Sequence, residues 1–338
     1  MIVLVYVANC IFFAPDKDKI EKMMESLKSN GLEMDPEHDM AGFLGVLIDK
    51  KDGSYTLTQI GLIDRIIAVM GLEGANTKRT PAEYGALPAD QEGEACNEPF
   101  TFASAVGMLA YLSGHSRPEI EFTVHQCGRY AHNPRAIHEI ALKRICRYLV
   151  GTRDKGMILT PTNEMKLHCF VDADFAGLWS YEDPHDPVCV RSRTGYVMTF
   201  SGVPIIWKSK LQTETALSTM EAEYIAISMA MREMLPLREL IIEVCESIGL
   251  EMKEISTMHS TIWEDNQGCV ILANLELPRM TPRSKHYAVK YHWFRDKLQP
   301  NNIKVKKIDT DIQWADIFTK SLRVDKFEKL RKLLSGWL

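Results

Sequence analysis

The chain has 338 residues, 46% of them hydrophobic and 25% charged, and its net charge is −5. These values are ordinary for a soluble globular protein, and the length suggests about two domains. No apolar run approaches the roughly 20 residues that cross a bilayer, so we expect no membrane contact. The apolar residues 1–14 do not include the basic stretch with which a signal peptide starts. This indicates a buried strand rather than a signal peptide. A strand that begins at once also suggests the back end of a longer protein.

The eight cysteines contain no CxxC pair and show no regular spacing. This pattern predicts reduced, buried thiols in an intracellular protein and argues against a zinc site. Residues 33–98 hold 13 acidic and 5 basic side chains, whereas residues 279–332 hold 15 basic and 6 acidic ones. The net negative charge argues against nucleic-acid binding over the whole surface. The basic C-terminal stretch favours either phosphate binding or a solvated helical surface.

The N-terminal part of the chain predicts two hairpins, two helices and a connector. Residues 1–13 form two apolar arms, and residues 43–58 contain a second pair of strand-like segments around a Lys-Lys-Asp-Gly turn. Helical spacing follows each hairpin, at residues 20–27 and 61–70. Residues 75–99, which are rich in proline, glycine and acidic side chains, form the connector.

Three helical patterns follow between residues 102 and 149, and the pattern changes to that of strands after residue 165. Three strands are predicted at 166–171, 194–200 and 204–208. A long helix, which Ser218 or Thr219 can cap, then runs to about residue 247.

The last 80 residues predict two further strands, near 260–263 and at 303–308. A short helix follows the first of these strands, and helical patterns at 284–298 and 311–322 flank the second. The chain closes on an amphipathic helix after residue 322. The order of strands and helices predicts an α/β domain with a mixed sheet.

Four acidic residues occupy positions that a metal site built on this sheet would need. Asp172 follows the apolar part of a strand, Glu221 lies in the first turn of the long helix, Asp265 follows the fourth strand, and Asp316 lies in a late helical pattern. Converging carboxylates repel one another unless a cation neutralises them. Mg²⁺ prefers such oxygen ligands, and two ions about 4 Å apart can hold a reacting phosphodiester.

Three of these residues also have a purely structural interpretation. Asp172 and Asp174 suit a solvated turn, Glu221 suits the helix dipole, and Asp265 suits a helix cap. The acidic neighbours Asp174, Glu223 and Glu264 are interpreted as supporting or solvated groups.

The motifs in the second half of the chain resemble the ribonuclease H domain at the end of copia-type retrotransposon polyproteins. Upstream motifs resemble the end of that family's reverse transcriptase, and the resemblance covers nearly the whole chain. The ribonuclease H motifs are FVDADFAG at 170–177, TGYV at 194–197, WKSK at 207–210, STMEAEYIA at 218–226, EDNQ at 264–267, SKH at 284–286 and ADIFTK at 315–320. The reverse transcriptase motifs are FLG at 43–45, YL at 111–112, RPEI at 117–120, NP at 133–134 and LKRICRYLVGT at 142–152.

The resemblance implies a ribonuclease H-like mixed sheet flanked by helices, preceded by a truncated reverse transcriptase palm and thumb and a helical connection. Its domains would span residues 1–80 (reverse transcriptase remnant), 81–100 (acidic linker), 101–160 (helical connection), 161–322 (ribonuclease H-like domain) and 323–338 (C-terminal helix).

By the same resemblance, Asp172, Glu221, Asp265 and Asp316 are the catalytic, metal-binding carboxylates. They would hold two Mg²⁺ ions, with Mn²⁺ as an alternative, and hydrolyse the RNA strand of an RNA–DNA hybrid. The implied partners are the hybrid and other parts of the polyprotein. The residues expected to contact nucleic acid are Lys208, Lys210, Lys285 and His286.

The chain departs from the family at the polymerase motif. The family's Tyr-x-Asp-Asp hairpin reads Tyr6-Val7-Ala8-Asn9 here, and neither Ala8 nor Asn9 supplies a carboxylate for a divalent cation. We therefore expect no DNA synthesis. Two functions stay open: a metal-dependent ribonuclease attached to an inactive polymerase, or a degenerate fragment that binds nucleic acid without cleaving it.

Overall fold

The structure is a computed structural model. It describes residues 1–7, 9–14, 16–32, 35, 42–179, 181, 185–249, 258–276, 279 and 291–338. Three of the residues named above, Ala8, Lys285 and His286, lie outside the described residues. No helix in the described part of the chain combines the length and apolar composition that a bilayer crossing requires.

The first segment contains the predicted hairpin and the predicted helix. Strands β1 (Ile2–Tyr6) and β2 (Asn9–Phe13) pair antiparallel, with Tyr6 opposite Asn9. Helix α1 (Lys17–Ser29) follows, and the side chain of Asp16 caps it. None of the described residues before position 33 is buried, so this segment contributes nothing to the hydrophobic core.

The second predicted hairpin belongs to a four-stranded antiparallel sheet. Strands β3 (Gly42–Phe43), β4 (Val46–Lys51) and β5 (Ser54–Thr58) pair in order, and β6 (Met157–Leu159) joins the outer edge of β5. Helix α2 (Ile60–Val69) follows β5, as its spacing predicts. The pairing of β5 with β6 joins segments that lie about 100 residues apart in the chain.

The three helices predicted after the connector are confirmed. They are α3 (Pro99–His115), α4 (Glu121–Gly128), which a turn of 3-10 helix at Pro118–Ile120 precedes, and α5 (Ala136–Gly151). The connector has no regular helix or strand. Its Cys96 and Glu94 instead exchange backbone hydrogen bonds with Pro134 and Ala136 at the start of α5.

A mixed five-stranded sheet forms the second half of the chain, as predicted. Strands β7 (Leu167–Asp174), β8 (Arg193–Phe200) and β9 (Val203–Leu211) form an antiparallel meander. Strands β10 (Ser260–Glu264) and β11 (Ile303–Lys307) run parallel to β7, and the order is β11-β10-β7-β8-β9. One expectation is corrected: β7 continues through Asp174 and does not end before Asp172.

Helices cover both faces of this sheet, which confirms the predicted α/β architecture. They are α6 (Thr219–Ser247), α7 (Gln267–Asn274), α8 (Arg295–Leu298), α9 (Asp316–Thr319) and α10 (Val324–Ser335). The helix predicted over 311–322 is wrong, because only a 3-10 turn at Thr310–Ile312 and the short α9 form there. The helical pattern predicted at 284–298 lies partly outside the described residues, and its described end contains α8.

The sheet separates two hydrophobic cores. Alternate residues of β7, among them Leu167, Cys169 and Val171, pack with α6 on one face. Phe170 points to the opposite face, into a core that includes α2 to α5 and α10. Because side chains alternate along a strand, Asp172 belongs to the same face as Phe170.

Candidate metal centre

Two of the predicted carboxylates meet because their strands are parallel neighbours. Phe170 of β7 lies opposite Trp263 of β10, and each strand carries an aspartate two residues further on, Asp172 and Asp265. The amide of Gln313 donates hydrogen bonds to the backbone oxygens of Val171 (2.8 Å) and Trp263 (3.3 Å). These bonds bridge the two strands just before the two aspartates.

The third carboxylate of the cluster is Glu223, from α6. Oxygen atoms of Asp172, Glu223 and Asp265 all lie within 4.8 Å of one another. Glu223 is at the head of a buried stripe that continues through Ala226 and Ile227 and packs on the sheet. Three carboxylates from three separate segments therefore meet near the carboxyl ends of β7 and β10.

Glu221, which the resemblance implies as a ligand, does not lie in this cluster of three carboxylates. Its carboxylate accepts a hydrogen bond from the backbone of Leu217 (2.9 Å), and its own amide donates to the Ser218 hydroxyl (3.2 Å). Glu221 therefore takes part in capping the start of α6, a structural role at the helix terminus. The Ser-x-x-Glu spacing and the apolar stripe behind Glu223 were the sequence signals that distinguish the two glutamates.

Asp316 lies beside the cluster but is engaged by two lysines. Its carboxylate contacts the ammonium groups of Lys320 (2.7 Å) and Lys326. Lys320 Nζ also lies 3.4 Å from Asp172 Oδ2. Asp316 is thus linked to Asp172 through a shared ammonium and is not one of the three clustered carboxylates.

A glycine lets α9 approach the strand that faces Asp172. Gly195 of β8 pairs with Asp172, and a Cβ atom on Gly195 would lie 2.6 Å from Thr319 Cγ2 and 3.0 Å from the backbone oxygen of Ala315. Because that space is free, the Thr319 hydroxyl reaches Asp172 and donates a hydrogen bond to it.

Burial makes ionisation of the cluster costly without a cation. It raises the pKa of Asp172 to about 7, against the opposing effect of Lys320 and with a further increase from Asp316. Burial and the nearby Glu264, Asp172 and Asp265 raise the pKa of Glu223 well above its usual range. Oε2 of Glu223 is buried and has no hydrogen-bond partner among the described residues. Hard oxygen donors without partners suit a divalent cation such as Mg²⁺.

Glu264 and Asp265 have different environments at the end of β10. Glu264 is fully buried, and its Oε1 accepts a hydrogen bond from the backbone of Asn266 (2.9 Å). Asp265 is only partly buried and accepts one from the Thr310 hydroxyl (2.8 Å). The cap of α7 is Asn266, whose side chain accepts from Cys269, and so the capping role considered for Asp265 belongs to its neighbour.

The other residues predicted to act lie at separate places. Lys208 and Lys210 are exposed on β9, an edge strand of the mixed sheet. Asn9 is exposed at the start of β2 in the N-terminal hairpin.

Comparison with known proteins finds Pol polyproteins of transposons that match nearly the whole chain. The chain is 31% identical over 344 residues to the retrovirus-related Pol polyprotein from transposon TNT 1-94 of Nicotiana tabacum, an alignment that covers 99% of this chain and 24% of the relative. It is 31% identical over 326 residues to that from transposon RE1 of Arabidopsis thaliana, which covers 96% and 21%. The chain thus spans less than a quarter of the length of these relatives. No protein-family model matches it.

A solved structure also aligns with part of the chain. LC11-RNase H1 in complex with an RNA/DNA hybrid aligns with a TM-score of 0.31 and 14% identity, over 46% of this chain and 94% of that chain. The sequence motifs and the two polyprotein relatives agree over nearly the full chain. The homologues of this chain are therefore retrovirus-related Pol polyproteins of copia-type transposons, and the chain matches a segment of their length.

Proposed function

We propose that the chain hydrolyses the RNA strand of RNA–DNA hybrids at a divalent metal centre held by Asp172, Glu223 and Asp265. The observation that supports this function is the meeting of these three carboxylates within 4.8 Å. A bound Mg²⁺ would supply Lewis acidity and an activated water for attack on a phosphodiester. The chain's own contribution is to fix the three ligands on two strands and a helix.

The partial exposure of Asp265 leaves the three carboxylates accessible to a large substrate. Asp172 and Glu223 are buried, whereas Asp265 is partly exposed, and so the cluster opens to solvent on the side of β10. Asp316, with its two lysines, lies next to Asp172. A second ion between Asp172 and Asp316 would have to displace the ammonium of Lys320, and we expect Mg²⁺ or Mn²⁺ to occupy the cluster of three carboxylates first.

A cleavage assay with paired glutamate variants tests the proposal. The purified chain is incubated with Mg²⁺ and a hybrid labelled on its RNA strand, and the fragments are separated on a gel. Disturbing a residue that only supports a metal ligand lowers activity by up to roughly 100-fold. Because Glu223→Gln removes a ligand itself, we expect it to lower the cleavage rate by more than that.

The matched control is Glu221→Gln, two residues away on the same helix. A glutamine can still accept the hydrogen bond from Leu217, so we expect cleavage by this variant to remain within about threefold of the parent. Loss of activity in Glu221→Gln with full activity in Glu223→Gln would reverse the assignment. No cleavage by the parent chain would leave the second function, binding of nucleic acid without catalysis.

The proposed domains follow the resemblance: a reverse transcriptase remnant at 1–80, a linker at 81–100, a helical connection at 101–160, the nuclease at 161–322 and a closing helix at 323–338.

We also predict that the chain extends no primer. The family's Tyr-x-Asp-Asp motif reads Tyr6-Val7-Ala8-Asn9 here, so neither of its two aspartates is present. Template-directed incorporation of labelled nucleotides by the purified chain is the measurement that would contradict this.

A further inference from the structure

A cavity of about 230 Å³ opens next to the metal centre, on the same face of the sheet as Asp172. Since a water molecule takes up roughly 30 Å³ in the liquid, the cavity has room for a group larger than one water. Lys320, whose ammonium lies 3.4 Å from Asp172, lines both the cavity and the cluster. The cavity is therefore adjacent to the place where a substrate would react.

Positive charge predominates in the wall of this cavity. Among the described residues, Arg191, Arg193 and Lys320 line it, and Asp174 contributes the one carboxylate. The imidazole of His125, which contacts Arg193, has its pKa lowered to about 4 by burial and by the nearby cations Arg193, Arg129, Lys208 and Lys210. An electropositive region therefore extends from the cavity to the exposed lysines of β9.

Arg193 has an unusual environment for a guanidinium. It is 3% exposed, and its hydrogen bonds go to His125 Nδ1 (3.0 Å), Ser209 Oγ (3.1 Å) and Gln126 Oε1 (3.4 Å). Within the described part of the chain it forms no ion pair with a carboxylate. Burial and the like charge of Arg129 lower its pKa to about 9. Asp174, opposite Arg193 in the ladder of β7 and β8, and Glu121 offset this decrease only in part. A buried cation with no carboxylate in direct contact is costly, and an anion that binds there would offset that cost.

We propose that this cavity binds a backbone phosphate of the nucleic-acid strand whose neighbouring phosphodiester lies at the metal centre. Arg191 and Arg193 would form the charged contacts to the phosphate oxygens, a geometry that guanidinium groups match well. The exposed Lys208 and Lys210 would meet the same strand further along. The inference rests on the proposed function for the identity of the substrate, but not for the anion site itself.

The test measures binding rather than cleavage. A fluorescent RNA–DNA hybrid is titrated in EDTA at several salt concentrations, by anisotropy, with the parent chain and with Arg191→Gln. A phosphate contact that is lost should lower the slope of log K against log salt by about 1, equally for unrelated sequences. Lys304→Gln removes an equal charge from an exposed position on β11, at the other edge of the sheet, and should leave the slope unchanged.

Hybrids with one uncharged methylphosphonate locate the contact. One position along the strand should weaken binding to the parent chain and not to Arg191→Gln. Arg193→Gln should show the same pattern, and its thermal unfolding is recorded because the side chain is buried. If it does not fold, Arg191→Gln alone decides.

The outcomes separate the two proposals. If binding of the hybrid depends on Arg191 but no cleavage occurs in Mg²⁺, the phosphate site is supported and the nuclease proposal is overturned. Cleavage together with equal salt slopes for Arg191→Gln and Lys304→Gln overturns the phosphate site and keeps the nuclease. If no nucleic acid binds, both proposals fail.

Discussion

At the scale of single residues, Asp172 carries a large electrostatic cost. It is buried in β7, next to Glu223 and Asp265, and among the described residues Lys320 and the Thr319 hydroxyl offset its charge. A raised pKa means that the folded chain holds this proton more tightly than the unfolded chain does. The pH dependence of stability therefore reports on this residue together with Glu223 and Glu264, whose pKa values are also raised, and a variant of Asp172 separates its share.

We predict that, in a chelator, the free energy of unfolding falls as the pH rises from about 4 to about 7. The unfolded pKa of an aspartate is about 3.9, and that of folded Asp172 is about 7, so its contribution is complete below the first value and lost through the second. Each pKa unit corresponds to roughly 1.4 kcal/mol. Urea unfolding at a series of pH values measures this.

The control for this pH effect is Asp172→Asn, which should flatten the decline. Saturating Mg²⁺ should flatten it in the parent chain as well, because the ion binds only the deprotonated ligands. Equal slopes for the variant and the parent in chelator would show that Asp172 is not the titrating group.

Asp172 and Asp265 could be predicted from sequence because each follows an apolar run. Parallel pairing of β7 and β10 places both aspartates at the same end of these strands, although β7 continues through Asp174. The choice between Glu221 and Glu223 depends on helix phase, and both side chains are largely buried. Only the cap at Ser218, which engages Glu221, fixes which glutamate faces the sheet.

At the scale of elements, α9 is held against β8 by the absence of a side chain at Gly195. The backbone oxygen of Ala315 and the side chains of Phe318 and Thr319 fill the space that a Cβ would need. Those atoms belong to packed backbone and buried side chains, so they have little freedom to move. The position of α9, and with it the contact from Thr319 to Asp172, depends on this glycine.

We predict that Gly195→Ala destabilises the fold by about 1–3 kcal/mol, the usual cost of overpacking a core, and lowers the affinity for the divalent ion. Thermal unfolding and metal titration of the variant measure the two effects. Gly107→Ala, at an exposed position in α3 with open space around it, should instead stabilise by up to about 1 kcal/mol. An unchanged melting temperature in Gly195→Ala would contradict the role given to this contact.

The same region shows why the sequence predicts a helix at 311–322 that does not form. Apolar residues there recur at helical spacing, but Gln313 is fully buried and its amide bonds to the carbonyls of β7 and β10. Those tertiary hydrogen bonds hold the chain outside the helical conformation before α9. A pattern of apolar residues cannot reveal that a polar side chain is committed to distant strands.

At the scale of the whole molecule, the sheet and the helices before it share one core. Phe170 and Val197 of the sheet, Leu109 of α3 and Leu330 of α10 belong to the same buried cluster. Arg331 of α10, also buried, donates to the Tyr148 hydroxyl of α5 (3.3 Å) and stacks on Trp337, 4.2 Å from the ring centre. The closing helix therefore joins the helical part to the sheet.

We predict that Leu330→Ala destabilises both parts together by about 2–5 kcal/mol, the usual cost of a large-to-small change in a core. Far-ultraviolet circular dichroism and tryptophan fluorescence should give one coincident transition. Leu333→Ala, on the same helix but 39% exposed, should cost much less. Two separate transitions in the Leu330 variant would show that the parts fold independently.

The shared ammonium of Lys320 has a consequence for the chain before it meets any ion. A newly made molecule carries its own counter-charge, tethered four residues from Asp316 and already in contact with Asp172. The strands can therefore close around the acidic side chains while magnesium is scarce. An ion that enters between Asp172 and Asp316 then exchanges one positive group for another and is not a condition for assembly.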